Sequence, residues 1–172
     1  MARRIGRSWR LCEDRAMSAT RYFAYGSNMA ESVMAAHCPG HRYIGRAELP
    51  GHRLAFTRRS VRTRTGVADI VRADGQSVWG ALYELDQSDL LAIDRKEGNG
   101  SNYERMQVRV RPGGREPYAD ALTYAVIDPL DTEVRPSPEY LDGLVEAAYA
   151  RVLPVEYRLA LAALADASRD WL

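Results

Sequence analysis

Three stretches of the chain carry residue types that can do chemistry. The first is Tyr22-Phe23-Ala24-Tyr25-Gly26-Ser27-Asn28-Met29. Its first half reads as a short buried strand rich in aromatics, and its second half as a turn that opens a helix. Asn28 is placed to cap that helix, with Glu31 three residues on as a capping box requires. Gly26 has no Cβ, so the backbone there can come close to a bound group. A helix start with unused N–H donors suits anionic or developing-anion oxygens. A plain strand-to-helix connection with no ligand explains the same letters.

The second is Glu97. Leu90, Leu91 and Ile93 give an apolar face to a helix that begins near Asp86 or Ser88, and Gly98 is its C-terminal stop. Glu97 then falls in the last turn, where the macrodipole disfavours a negative charge. A carboxylate so placed suits general acid or base work; a surface glutamate at a fraying helix end is the alternative. The third is His37-Cys38-Pro39-Gly40-His41. Zinc needs three or four well-spaced ligands, and the remaining histidine and cysteine are His52 and Cys12. A polar loop is therefore expected there, and no metal.

The elements that must position these residues follow from pattern. A strand over about 21–25 leads into a short helix from Met29 to about Ala36, closed by Pro39-Gly40. Tyr43–Leu49 and His52–Thr57, joined by Pro50-Gly51, read as one hairpin. Val67–Val71 and Ser77–Leu85, joined by Ala73-Asp74-Gly75-Gln76, read as a second. Between the two lie Arg58, Arg59, Arg62 and Arg64 without an interleaved aromatic, so a solvated loop is expected rather than a nucleic-acid patch. After the Glu97 helix, Tyr103–Arg111 alternates as a half-buried strand and Ala119–Ile127 returns beside it. Ser137-Pro138-Glu139 starts a helix with Tyr140 in its first turn and Leu141, Leu144, Val145 and Ala148 on its core face. A last helix runs from Pro154 to about Ala165, with Leu159, Leu161 and Leu164 apolar. Strands joined mainly by hairpins argue against a doubly wound parallel sheet. The expected fold is α/β (α+β): a small mixed barrel or strongly curved sheet flanked by helices.

The 172 residues suit one domain over 21–172, preceded by a tail over 1–20 expected to be disordered. That tail holds Arg3, Arg4, Arg7, Arg10 and Arg15 but no apolar core, so it is no signal peptide, and Met17 is an alternative first residue. A net charge of +1 gives no general attraction for a polyanion, so no nucleic-acid partner is expected. No apolar run approaches the ~20 residues of a membrane span, so no membrane partner is expected. Two cysteines build no disulfide framework; reduced thiols and a cytoplasmic location are expected.

Four features together resemble the gamma-glutamylcyclotransferase family. Tyr22 to Asn28 resembles its opening motif. Val78-Trp79-Gly80 with Tyr83 resembles the strand before its catalytic helix. Leu91-Ala92-Ile93-Asp94-Arg95-Lys96-Glu97-Gly98, followed by Tyr103, resembles the segment with its catalytic glutamate. Pro136-Ser137-Pro138-Glu139-Tyr140 resembles its C-terminal substrate-binding segment. The resemblance implies a small barrel with an internal cavity and cleavage of gamma-glutamyl amides to 5-oxoproline without water. It implies Glu97 as the acid/base. It implies that Tyr22, Phe23, Ala24, Tyr25, Gly26 and Ser27 hold the glutamyl group, and that Tyr103, Tyr124 and Tyr140 line the cavity. It implies a small-molecule gamma-glutamyl substrate, no metal or organic cofactor, and a monomer or homodimer. A member that only binds a small molecule or partner, without turnover, is the alternative.

Overall fold

The computed structural model describes residues 19–170. Most of the tail expected over 1–20, with Cys12, lies outside the described residues; Thr20 falls inside and opens the first strand. In chain order the elements are β1 (Thr20–Ala24), a single 3-10 turn (Ser27–Met29), α1 (Glu31–His37), β2 (Arg42–Arg59), β3 (Gly66–Leu85), α2 (Gln87–Glu97), β4 (Tyr103–Pro112), β5 (Ala119–Val126), α3 (Pro138–Ala150) and α4 (Val155–Arg169). The strands close into a mixed barrel in the order β1-β3-β2-β4-β5. All observed neighbours are antiparallel except β1 and β5, which run parallel with Tyr22 opposite Leu122.

Strand alternation sorts the core into two bodies. Phe23, Leu49, Ile70, Val78, Leu82, Val108, Val110 and Ala121, drawn from all the strands, pack together inside the barrel. Tyr22, Ala24, Ala81, Tyr83 and Tyr124 face the other way and pack beneath the helices, against Met34, Ile93, Leu141, Leu144 and Leu161. β1 is therefore buried on both faces, which explains its aromatic, non-alternating sequence.

The two expected hairpins are in fact one long ribbon. β2 and β3 pair from Arg42–Glu84 to Arg59–Gly66, and Gly51 alone stands opposite Ala73–Gln76. Pro50-Gly51 and Asp74-Gly75 thus mark a bulged bend rather than reversals; Gly51 and Gly75 take φ of 71° and 76° there. The true reversal is the arginine-rich segment between Arg59 and Gly66. It expels no apolar surface, which is why composition suggested an ordinary loop. Leu91 and Leu159, expected in the core, are 45% and 57% exposed.

α2 is fixed at both ends. The Asp86 carboxylate accepts from the Asp89 amide at 2.9 Å, and Gly98 closes the helix in the left-handed region at φ 64°. Leu90 and Ile93 bury its inner face, each stabilising the docked helix by roughly 1.5–3 kcal/mol. One turn from the end, Asp94 is gripped by the Arg105 guanidinium of β4 and by the Tyr124 hydroxyl of β5. The last turn is thereby tied to the barrel wall.

Candidate active site

Glu97 opens on a cavity of about 450 Å³ at the end of the barrel where β1 runs out. Its side chain is 16% exposed. Asn28 Nδ2 donates to Glu97 Oε1 at 2.9 Å, and Lys96 Nζ donates to the same oxygen at 3.1 Å. Among the described residues no donor reaches Oε2. One oxygen orients the carboxylate and the other remains for a ligand.

The turn after β1 forms the opposite wall, with Tyr25, Gly26, Ser27 and Asn28 on the lining. The expected cap does not form. Ala30 is the N-cap of α1, without a side-chain hydrogen bond. Asn28 points inward instead, 3% exposed. Its Nδ2 reaches Tyr22 Oη at 2.7 Å as well as Glu97. Its carbonyl oxygen Oδ1 is buried and has no hydrogen-bond partner among the described residues. An unpaired buried acceptor costs about 1–3 kcal/mol, a cost that the two bonds of Nδ2 to Tyr22 and Glu97 offset. Glu31, the expected capping-box partner, binds Arg151 and His41. The backbone carbonyls of Asn28 and Met29 are held from behind by the Tyr83 hydroxyl at 3.1 Å each, and Arg151 Nε donates to Met29 at 2.8 Å.

Tyrosines complete the wall. Tyr22, Tyr25, Tyr103, Tyr124 and Tyr140 all line the cavity. Burial, and then the nearby Glu97 charge, hold the Tyr22 hydroxyl well above its ordinary range. Burial is also the first cause that raises Tyr25, Tyr103 and Tyr124, and it pushes Tyr140 up to about 12. All five are neutral donors at physiological pH. Tyr25 donates to the Tyr124 carbonyl at 2.6 Å. Tyr103 and Tyr140 together clamp the Ala68 peptide: the Tyr103 hydroxyl donates to its carbonyl and its amide donates to the Tyr140 hydroxyl, both at 3.0 Å. Ala68 has no partner in the β2–β3 register, because a bulge between Ala55 and Arg58 interrupts the ladder. The two phenols replace the missing strand bonds.

Two expected residues are absent from the lining. Phe23 is fully buried inside the barrel, and its carbonyl accepts from Thr123 Oγ1 at 2.8 Å. Ala24 packs under the helices. Alternation turns Phe23 to the barrel interior, while Ala24 shares the face of Tyr22 but its side chain is a single methyl packed under the helices. Further lining residues, among them Asn28, Arg58, Arg62 and Lys96, were not among the expected site residues. The arginine spacing was the available signal, but it carries no direction until β2 and β3 are paired. Cys38 Sγ donates to the Asp89 carbonyl at 3.4 Å and His41 Nδ1 bonds the Cys38 carbonyl at 2.7 Å. Among the described residues no metal-holding cluster is found. No helix among them is long and apolar enough to cross a membrane.

A sequence model of the AIG2-like family matches residues 77–161. The chain is 29% identical over 149 residues to the gamma-glutamylcyclotransferase of Homo sapiens, covering 83% of this chain and 77% of that protein. It is 34% identical over 123 residues to the putative gamma-glutamylcyclotransferase YkqA of Bacillus subtilis, covering 69% of this chain and 43% of that protein. A solved structure of a gamma-glutamyl cyclotransferase superposes with a TM-score of 0.77 at 27% identity, over 85% of this chain and 88% of that chain. Barrel, helices and cavity define the class: a small closed-barrel α/β protein of the gamma-glutamylcyclotransferase fold. In sequence and in fold the chain is similar to the gamma-glutamylcyclotransferases.

Proposed function

We propose that the protein is a gamma-glutamylcyclotransferase, converting a gamma-glutamyl amino acid or amine to 5-oxoproline and the free amine. The observation that carries this reading is that the Glu97 carboxylate and the Gly26–Asn28 turn face one cavity.

The substrate's α-amine begins as an ammonium with a pKa of about 8. Glu97 Oε2 takes one of its protons, while Asn28 Nδ2 holds the other oxygen of the carboxylate in place. The freed amine attacks the substrate's own γ-carbonyl carbon. A C–N bond forms and the carbonyl oxygen becomes an oxyanion. The amides at the start of the 3-10 turn and the Tyr22 hydroxyl are the donors for the substrate's anionic oxygens. Collapse of the intermediate breaks the bond to the leaving nitrogen, which takes the first proton back from Glu97 as it departs. The carboxylate then relays the surplus proton of the new ring nitrogen to the freed amine, so a neutral lactam and an ammonium leave. The products are the lactam and the amine, and no water is consumed. Holding the chain folded for ring closure supplies roughly 7–11 kcal/mol of the barrier reduction.

The test is to incubate the protein with several gamma-glutamyl dipeptides and assay 5-oxoproline. Glu97→Gln keeps the shape and removes the proton carrier, so kcat is expected to fall about 10²- to 10⁴-fold. Release of free glutamate without lactam, by wild type and variant alike, would exclude the cyclisation.

A further inference from the structure

The cavity wall carries more positive charge than the proposed chemistry uses. Arg58, Arg62 and Lys96 line it, against the single carboxylate of Glu97. Lys96 is paired with Glu97. Arg58 is held in place: its Nη2 donates to Asn102 Oδ1 at 2.5 Å, and its guanidinium lies 6.0 Å from the Tyr103 ring centre. Both partners are neutral, so its charge is uncompensated. Arg62 stands at the tip of the β2–β3 ribbon, exposed, with no hydrogen bond or ion pair to any described residue. Acidic residues along that part of the fold are engaged elsewhere: Glu133 pairs with Arg53, Asp69 accepts from Thr57 Oγ1 and the Val126 amide, and Asp131 lines a separate depression with Arg59 and Arg64. Beside Arg62, Val61 also lines the cavity and is 81% exposed.

We infer that the ribbon tip is a leaving-group subsite that selects gamma-glutamyl amides whose departing amine bears a carboxylate, with Arg62 as the residue that reads it. This rests on the proposed cyclisation. Two uncompensated cations match a substrate with two carboxylates, one on the glutamyl unit and one on the leaving group. The substrate's lone ammonium goes to Glu97. With the glutamyl unit between Glu97 and the Gly26–Asn28 turn, the leaving amine projects toward the open mouth, where Arg62 stands with Val61 to cover an apolar side chain. A cationic leaving amine meets like charge there, and a neutral one leaves Arg62 without a partner. An arginine suits the task because its planar fork binds a carboxylate through two parallel hydrogen bonds.

The experiment compares three substrates by kcat/KM for 5-oxoproline formation: gamma-glutamyl-alanine, gamma-glutamyl-alaninamide, and the gamma-glutamyl amide of ethylenediamine. Wild type is expected to prefer the first over the second by about tenfold or more, the size of a hydrogen bond to a charged group, and over the third by a larger factor. Arg62→Ala should compress the first ratio toward one, Arg62→Lys should restore part of it, and Arg62→Glu should invert the order of the first and third. The preference should also shrink as salt is raised, because the site is exposed. Lactam release with equal kcat/KM from all three, or ratios unmoved by Arg62→Glu, overturns the subsite while leaving the cyclisation intact. No lactam from any substrate overturns both.

Discussion

Asn28 and Glu97, 69 positions apart, meet at 2.9 Å between an amide donor and a carboxylate oxygen, while the other end of the same amide meets no donor among the described residues. One side chain therefore fixes the orientation of the proposed proton carrier. Removing it should hurt turnover more than folding. For Asn28→Ala, kcat/KM for lactam formation is expected to drop roughly 10- to 150-fold, the equivalent of one hydrogen bond to a charged group. Circular dichroism should stay native. Kinetics equal to wild type would show that Asn28 is only packing.

The clamp on Ala68 gives a stability prediction. Tyr140→Phe removes the acceptor for the Ala68 amide, which has no ladder partner to fall back on. Urea unfolding should show a loss of about 1–3 kcal/mol. Tyr149→Phe, at a position 47% exposed, is the control and should stay within about 0.5 kcal/mol. Equal stability of the two variants would mean that water serves the Ala68 amide as well as the phenol does.

Asp94 ties α2 to the barrel and makes that tie sensitive to acid. Burial opposes its charge, but hydrogen bonds from Arg105 and Tyr124 outweigh burial and hold the carboxyl below its ordinary value. A carboxyl with a depressed native pKa adds stability that is complete above the unfolded value, about 4, and is lost as the pH falls through the native one. The stability gap between wild type and Asp94→Asn should therefore be wide at pH 7 and narrow below pH 3. A gap of the same size at both pH values would point to shape rather than charge.

Much of this was legible from local rules. The Asp86 cap, the Gly98 stop and the Ser137-Pro138 start are short-range devices, and each is found where its letters stand. Their logic needs only a few neighbouring residues. The same local logic failed where the partner lay far away. Asn28 satisfies the letters of a cap, yet its amide is taken by Tyr22 and Glu97. Pro50-Gly51 and Asp74-Gly75 satisfy the letters of turns, yet they face each other across one continuous ribbon as a bend. Two turn signals that lie opposite each other and two that end separate hairpins look alike until register is known.

From the sequence by itself came the mixed strand-and-helix class, the placement of Glu97 in a final helical turn and the aromatic strand that leads to Gly26, because propensity, capping and glycine geometry act over a few residues. Tertiary structure alone decided which side chains share a cavity. Closing the barrel turned Phe23 inward and Asn28 toward Glu97, and it carried the arginine-rich reversal to the cavity mouth. Those outcomes depend on strand register and on contacts made across most of the chain, and no local pattern encodes them.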